Sequence, residues 1–157
     1  MKFVFLTVSG SRPRWVTDFE AEIVERKLNP IISTSVDVVK AQKAARNDRG
    51  WKRDQDSIGL LKRIVGTDFV VLADERGRTF SSQLFAKHLD GVLAIGKKRI
   101  VFITGGPYGV TDDVVQRADL KLQLSTFTLN HFLAQMVLME QVYRALAISK
   151  NLPYHND

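Results

Sequence analysis

The chain has 157 residues, of which 45% are hydrophobic and 25% are charged, a balance typical of one globular domain with its own core. Cysteine is absent, which excludes thiol catalysis, cysteine–zinc sites and disulfides. Lysine and arginine number 23 against 17 acidic residues, and the net charge of +6 favours a polyanionic partner, nucleic acid first. No apolar run reaches the ~18 residues of a membrane span. We therefore expect one cytoplasmic domain, residues 1–157, without membrane contact.

Hydrophobic periodicity divides the first half of the chain into two strands and a helix. A buried strand is predicted over 2–9, a helix over 14–27 that ends before Pro30, and a second strand over 31–39. Residues 40–53 lose the apolar pattern and form the most basic stretch, with Trp51 among the cations. We expect a loop there, for which contact with RNA phosphates, helped by residues 97–99, and simple solvation are comparable interpretations.

The second half continues the alternation of helices and strands. Helices are predicted over 54–65 and 81–94, strands over 67–73, 99–103 and 120–124, and a short helix capped by Thr111 over 111–118. The pattern indicates an α/β fold, with a mostly parallel sheet of five or six strands and helices on both faces.

The last helix, predicted over 132–148, is apolar around nearly its whole circumference. A helix of this kind must be covered on all sides, and few residues follow it. We therefore expect a second subunit to provide part of the cover, most simply in a twofold homodimer.

Three loops follow strands of the predicted sheet, where parallel sheets bind ligands: residues 74–77, 104–109 and 124–130. In the second loop, Gly105 and Gly106 expose main chain, which either contacts a ligand or simply makes a turn. Residues 124–129 alternate small polar with apolar side chains, a pattern that suits a wall for an aromatic base or an ordinary loop. Dinucleotide, phosphate-loop, serine-hydrolase and zinc signatures are missing from the sequence, so no metal site is expected.

Four segments in order resemble the RlmH family of SPOUT methyltransferases: residues 104–109, 124–131, 140–145 and the terminal run 153–155. The likeness spans essentially the full chain. The resemblance implies transfer of a methyl group from S-adenosyl-L-methionine, without a metal, to N3 of a pseudouridine in helix 69 of 23S rRNA in the assembled ribosome. It also implies a homodimer with a C-terminal trefoil knot around the cofactor.

Carried over by position, the resemblance implies two sets of site residues. The cofactor-binding set is Leu72, Gly105, Gly106, Leu124, Ser125, Thr126, Phe127, Thr128 and Leu129. The catalytic set is His131, Arg144, Tyr154 and His155, of which the last two belong to a tail that completes the active site.

The catalytic set also has interpretations from residue type alone. His131 lies at a predicted helix start, where the positive helix end favours a neutral imidazole that can accept a proton. A role in packing or in capping the helix explains a histidine at this position equally well. Arg144 suits a phosphate or a developing anion, or only an i,i+4 pair with Glu140. Tyr154 suits stacking on a flipped base.

The chain departs from the family pattern at three positions. Gln135 stands where relatives carry arginine, Asn130 where they carry proline, and Asn156 where many carry a basic residue. Asn130 is a good helix cap, whereas the loss of two cations puts the target nucleotide in question. A non-catalytic RNA- or ribosome-binding module is therefore an alternative function. A flavodoxin-like binder of small nucleotides is a third, disfavoured by the missing phosphate motifs.

Overall fold

The computed structural model describes residues 1–43 and 48–154. Its centre is one sheet of five strands, all paired in parallel, in the order β2-β1-β4-β3-β5. The strands are β1 (Lys2–Ser9), β2 (Thr34–Lys40), β3 (Phe69–Arg78), β4 (Arg99–Thr104) and β5 (Leu120–Leu122). The predicted parallel sheet is confirmed, with five strands.

Helices cover both faces of the sheet. They are α1 (Arg14–Glu20), which continues into a π-helical segment (Ala21–Leu28), α2 (Arg49–Leu61), α3 (Ser82–Ala94), α4 (Asp112–Arg117) and α5 (His131–Ser149). Alternate side chains of β1 enter two different cores, because successive residues of a strand point to opposite faces. Phe3 and Phe5 pack with the π-helical segment, α3 and α5, whereas Val4 and Leu6 pack with α2 and α4.

Helix α2 begins earlier than the sequence predicts. The loop predicted over 40–53 is wrong for residues 49–53, because Asp48 caps the helix and its side chain accepts a hydrogen bond from the Trp51 N–H at 2.9 Å. The cations of this stretch therefore lie partly on the first turns of a helix. The rest of the predicted loop includes residues 44–47, which lie outside the described residues.

Strand β3 runs beyond its predicted end at residue 73 and carries an irregularity. Its pairing with β5 shifts between Ala73 and Arg78, so the residues between them stand out at the carboxyl end of the strand. A Cβ on Gly77 would lie 2.6 Å from the backbone nitrogen of Leu122, so only glycine allows β3 to return to β5. The irregularity places Asp74, Glu75 and Arg76 at the edge of the sheet where ligands are expected.

Helix α4 is present and Thr111 occupies its N-cap position as predicted, but without a side-chain cap. The Thr111 side chain makes no cap hydrogen bond, and its backbone N–H donates instead to Ser57 Oγ at 2.9 Å. This bond attaches the end of the glycine-containing loop to α2.

No helix in the two described ranges combines the length and the apolar character needed to cross a bilayer. The trefoil knot stays a prediction. Strand order and register identify which strands are neighbours, whereas a knot is defined by how the chain passes through its own loops.

Candidate active site

A cavity of about 500 Å³ opens at the carboxyl ends of β3 and β4, beside the start of α5. Its walls come from the three loops expected from the sequence: residues 73–76, residues 104–110 and residues 124–131. Volumes of this size accommodate ligands as large as a nucleoside derivative.

Bare main chain forms one wall of this cavity. A Cβ on Gly105 would lie 2.9 Å from Val110 Cγ1, and one on Gly106 would lie 3.2 Å from Asp56 Oδ2. The loop closes through Gly109, whose N–H donates to the Gly106 carbonyl at 3.0 Å and whose φ of 77° is a conformation that favours glycine. The glycines are therefore required by their surroundings, and both line the cavity with main chain alone.

The cavity brings together most of the predicted cofactor-binding residues. Its lining includes Gly105, Gly106, Leu124, Ser125, Phe127, Thr128 and Leu129. Leu72 is fully buried in the sheet and Thr126 is exposed, and neither belongs to the lining. Phe127 is 82% exposed, so most of its ring surface is available to a bound molecule.

Sequence reasoning selected residues 74–77, which the structure places in the irregular end of β3, but missed which of their side chains line the cavity. Arg76 donates to the Asp74 carboxylate through Nε at 3.0 Å, Nη2 at 2.9 Å and its backbone N–H at 2.8 Å. The hydrogen bonds from Arg76 hold the pKa of Asp74 below its ordinary value, so this carboxylate is ionised and compensated. The signal that could have found these residues is a charged run, Asp74 to Arg76, at the end of an apolar strand.

His131 lies in the lining at the first residue of α5. The capping interpretation is wrong, because the Asn130 side chain caps the helix by accepting a hydrogen bond from the Phe132 N–H at 2.9 Å. The imidazole packs on the Phe132 ring, with 4.0 Å between ring centroids. Burial lowers the pKa of His131, which favours the neutral ring that can accept a proton.

Arg144 and Tyr154 form a second polar cluster near the other end of α5. Arg144 donates to Glu140 Oε1 through Nη2 at 2.6 Å and Nε at 3.0 Å, so the predicted i,i+4 pair is confirmed. The Tyr154 hydroxyl donates to the same oxygen at 3.0 Å, and its ring lies 4.8 Å from the Arg144 guanidinium. This cluster holds the start of the C-terminal tail against α5. His155 lies outside the described residues.

Comparison with known proteins agrees with this geometry. A family model described as "Predicted SPOUT methyltransferase" matches residues 1–155. The chain belongs to the SPOUT methyltransferase family. A protein of Bdellovibrio bacteriovorus named "Ribosomal RNA large subunit methyltransferase H" is 41% identical over 156 residues, which is 99% of both chains. A protein of Christiangramia forsetii with the same name is 35% identical over 136 residues, which is 86% of this chain and 87% of that one.

A solved structure supports the same fold for this methyltransferase. The probable methylase family protein from Haemophilus influenzae superposes with a TM-score of 0.53 at 12% identity, covering 99% of this chain and 70% of the other. At this identity the likeness concerns the fold.

The methyl donor of this methyltransferase is S-adenosyl-L-methionine, and the cavity fits such a molecule. Its volume of about 500 Å³, its glycine main chain and its apolar residues Leu124 and Leu129 suit a ligand with a flat base and several hydrogen-bonding groups. In the described ranges, no group of three or more histidine, aspartate or glutamate side chains is arranged to hold a metal ion.

The two groups of catalytic candidates in the methyltransferase lie far apart within one chain. His131 and Arg144 sit on one uninterrupted helix, and at 1.5 Å per residue their separation along its axis is about 20 Å. His131 lines the cavity, whereas Arg144 and Tyr154 do not belong to its lining.

Gln135 of α5, where the family resemblance leads us to expect arginine, is buried against α1. Its Nε2 donates to Glu20 Oε1 at 2.5 Å, and Arg12 forms an ion pair with Glu20 Oε2. The methyltransferase thus places a cation beside this position from another element, while Gln135 itself is outside the cavity lining.

Proposed function

We propose that this protein is an S-adenosyl-L-methionine-dependent rRNA methyltransferase, built as one SPOUT-like domain over residues 1–157. The proposed reaction methylates N3 of a pseudouridine in helix 69 of 23S rRNA in the ribosome. The observation that carries the proposal is the cavity walled by glycine main chain and residues 124–129, with a neutral His131 at its edge. Family membership, the names of the relatives and the net charge of +6 support it.

The residues of the cavity serve to bind and align the donor. When bound, the donor supplies a methyl group already activated on a sulfonium, so the protein needs mainly to position the two reactants. Gly105 and Gly106 offer peptide groups, Leu124 and Leu129 offer apolar surface, and Phe127 covers the rim. Leu72 is fully buried in β3, where it pairs with Ile103 of β4.

His131 is the proposed acceptor of the proton on pseudouridine N3. Removal of that proton would leave the nitrogen with an electron pair for the bond to the methyl carbon, which a bound donor would supply from its sulfonium as the carbon–sulfur bond breaks. A neutral imidazole at the edge of the cavity is suited to take this proton.

A homodimer completes the proposed site. Because about 20 Å of helix separate His131 from Arg144, the cluster of Arg144 and Tyr154 would act at the cavity of a second copy, together with the predicted catalytic residue His155. The surface beside the cavity supports this arrangement: Trp15 and Leu133 are 49% and 45% exposed, and Trp15 contacts the Phe132 ring edge-on at 5.8 Å. An apolar face of this kind fits a self-complementary contact between two copies.

The proposed RNA-binding surface adjoins the cavity at the start of α2. Lys52 lies 5.7 Å from the ring centroid of Tyr108, which stands in the cavity loop between Pro107 and Gly109. Arg49 and Trp51 are exposed on the same helix turns and offer a phosphate contact and a stacking surface. Residues 97–99 lie at the amino end of β4, away from the cavity, and do not belong to this surface.

Mass spectrometry of 23S rRNA from cells with and without the gene tests the proposal. We expect loss of a single methyl group from helix 69, restored when purified protein and S-adenosyl-L-methionine are added to ribosomes from the deletion strain. Ribosome binding without any change in methylation would instead support the non-catalytic RNA-binding alternative.

A further inference from the structure

Asp56 is a buried carboxylate directly behind the donor loop. Its residue is 4% exposed on α2, and its Oδ2 lies 3.2 Å from the place that a Cβ would take on Gly106. Gly106 also lines the cavity. Because this residue has no side chain, a single layer of main chain separates the carboxylate from the proposed donor site.

The charge of Asp56 is only partly compensated. Its Oδ1 has no hydrogen-bond partner among the described residues. Burial raises the pKa of Asp56, while the Gln42 backbone N–H and the Lys52 ammonium act in the opposite direction. A buried, incompletely paired carboxylate destabilises a fold, so a neutral residue would serve better here if packing were its only role.

The charged side chains that line the cavity are paired or exposed to solvent. Asp74 is compensated by three hydrogen bonds from Arg76, and its side chain is 7% exposed. Glu75 is exposed, so water and salt screen its charge. The low pKa of His131 keeps its ring neutral. Asp56 is thus a buried and only partly compensated carboxylate directly behind the glycine wall.

We propose that Asp56 determines the preference of this cavity for the cationic donor over the neutral product. S-adenosyl-L-methionine carries one more positive charge than S-adenosylhomocysteine, because methyl transfer turns the sulfonium into a thioether. A buried negative charge attracts the first molecule and gives no such attraction for the second. The inference rests on the proposed function, since it takes the cavity as the donor site. In this arrangement the reaction itself removes the attraction and favours product release.

Calorimetry with three ligands tests the role of Asp56. The ligands are S-adenosyl-L-methionine, S-adenosylhomocysteine and sinefungin, an analogue whose amine keeps the positive charge. Asp56→Asn and Asp56→Ala remove the carboxylate, and Asp54→Asn is the matched control, because Asp54 is exposed on the same helix and paired with Arg53 at 3.1 Å. Circular dichroism and thermal unfolding establish which variants are folded.

We expect both neutral variants to bind the two cationic ligands roughly 5- to 30-fold more weakly, the size of one charge interaction across a partly screened interior. Affinity for S-adenosylhomocysteine should stay within about twofold of wild type, and Asp54→Asn should match wild type for all three ligands. An equal loss for all three ligands would make Asp56 a support of the loop and overturn the inference while keeping the donor site. Failure of both neutral variants to fold would assign Asp56 to the structure and also overturn it. If the wild-type protein binds none of the ligands, the donor site itself is wrong.

Discussion

The hydroxyl of Tyr154 donates a hydrogen bond to Glu140 Oε1, 3.0 Å away, and the same oxygen accepts two N–H groups from Arg144. Burial and this bond raise the pKa of Tyr154, so its hydroxyl stays protonated and continues to donate. One carboxylate oxygen therefore joins the C-terminal tail to α5. Glu140 was outside the predicted site, yet it determines where Tyr154 and Arg144 lie.

Replacing Glu140 should separate this positioning role from donor binding. In Glu140→Gln the charge that holds Arg144 and Tyr154 is lost, and we expect methyl transfer to slow about 10- to 100-fold, as displaced catalytic groups commonly do. The donor Kd should stay within about twofold, because Glu140 lies far from the cavity along α5. Single-turnover methylation and calorimetry measure the two quantities. Asp18→Asn is the control, since Asp18 forms an exposed i,i+4 pair with Arg14 at 3.5 Å; equal rates for both variants would contradict the prediction.

Mixed dimers test whether the two catalytic groups come from different copies. A chain with His131→Ala keeps its tail, and a chain truncated before Tyr154 keeps its cavity, so each should be inactive alone. If tail and cavity belong to different protomers, random mixing restores one site in half of the dimers, about a quarter of wild-type activity. Co-expression gives this random mixture, and selection through two different affinity tags isolates the mixed dimer, which should have about half of wild-type activity. A mixture as inactive as its components would show that each site is built from one chain.

The sequence predicts the sheet well because its strands are short apolar runs bounded by turn residues. The start of α2 is not predictable in this way, since residues 49–53 lack apolar periodicity and the helix depends on the single cap of Asp48. The irregularity in β3 depends likewise on the close approach of Gly77 to β5, which is a tertiary contact. Local patterns therefore identify elements, while their boundaries follow from contacts that the patterns do not contain.

The candidate site divides in the same way. Gly105 and Gly106 are identifiable from residue type, because bare main chain after a strand is itself a signal. Asp56 and Glu20 cannot be identified from residue type, because their importance arises from partners that are distant in the chain. The hydrogen bond between Glu20 and Gln135, for example, spans 115 positions. The sequence alone therefore indicates that a cation is lost at Gln135. In the fold, Arg12 lies next to this position, where it forms an ion pair with Glu20.

Gly106→Ala should weaken donor binding without abolishing the fold. The added methyl group would lie 3.2 Å from Asp56 Oδ2 and 3.3 Å from Val8 Cβ, two buried neighbours that cannot easily move, so the loop must shift. We expect a donor Kd roughly tenfold higher or more, since small displacements at a binding wall are costly. Gly91→Ala is the control: its methyl group meets nothing within 4 Å on α3, and helix propensity should make that variant slightly more stable. A wild-type donor Kd in Gly106→Ala would show that the loop does not contact the donor.

The pH dependence of transfer reports the protonation of His131. Burial lowers its pKa below the ordinary value of 6.5, so the imidazole is neutral and able to accept a proton at neutral pH. The single-turnover rate should be flat above neutrality and fall as pH drops through that lowered pKa, because the protonated ring no longer accepts. The rate of His131→Gln, measured over the same range, should be lower and should lack this acidic decline. A wild-type rate that rises toward acid pH would exclude His131 as the acceptor.

Two exposed residues at the start of α2 should contribute differently to RNA affinity. Arg49→Ala removes a phosphate contact, so the slope of log affinity against log salt concentration should decrease in magnitude by about 0.7 to 0.9, the value for one lost ion contact. Trp51→Ala removes a stacking surface, so affinity should fall by roughly 5- to 100-fold with little change in that slope. Lys62→Ala is the matched control, because it removes an exposed cation at the opposite end of the same helix. Fluorescence anisotropy with a labelled stem–loop RNA at several salt concentrations measures both quantities. Only a localised contact distinguishes the two ends of α2. An equal change of the salt slope in Arg49→Ala and Lys62→Ala would therefore mean that overall charge attracts the RNA. The surface next to Tyr108 would then not be its docking site.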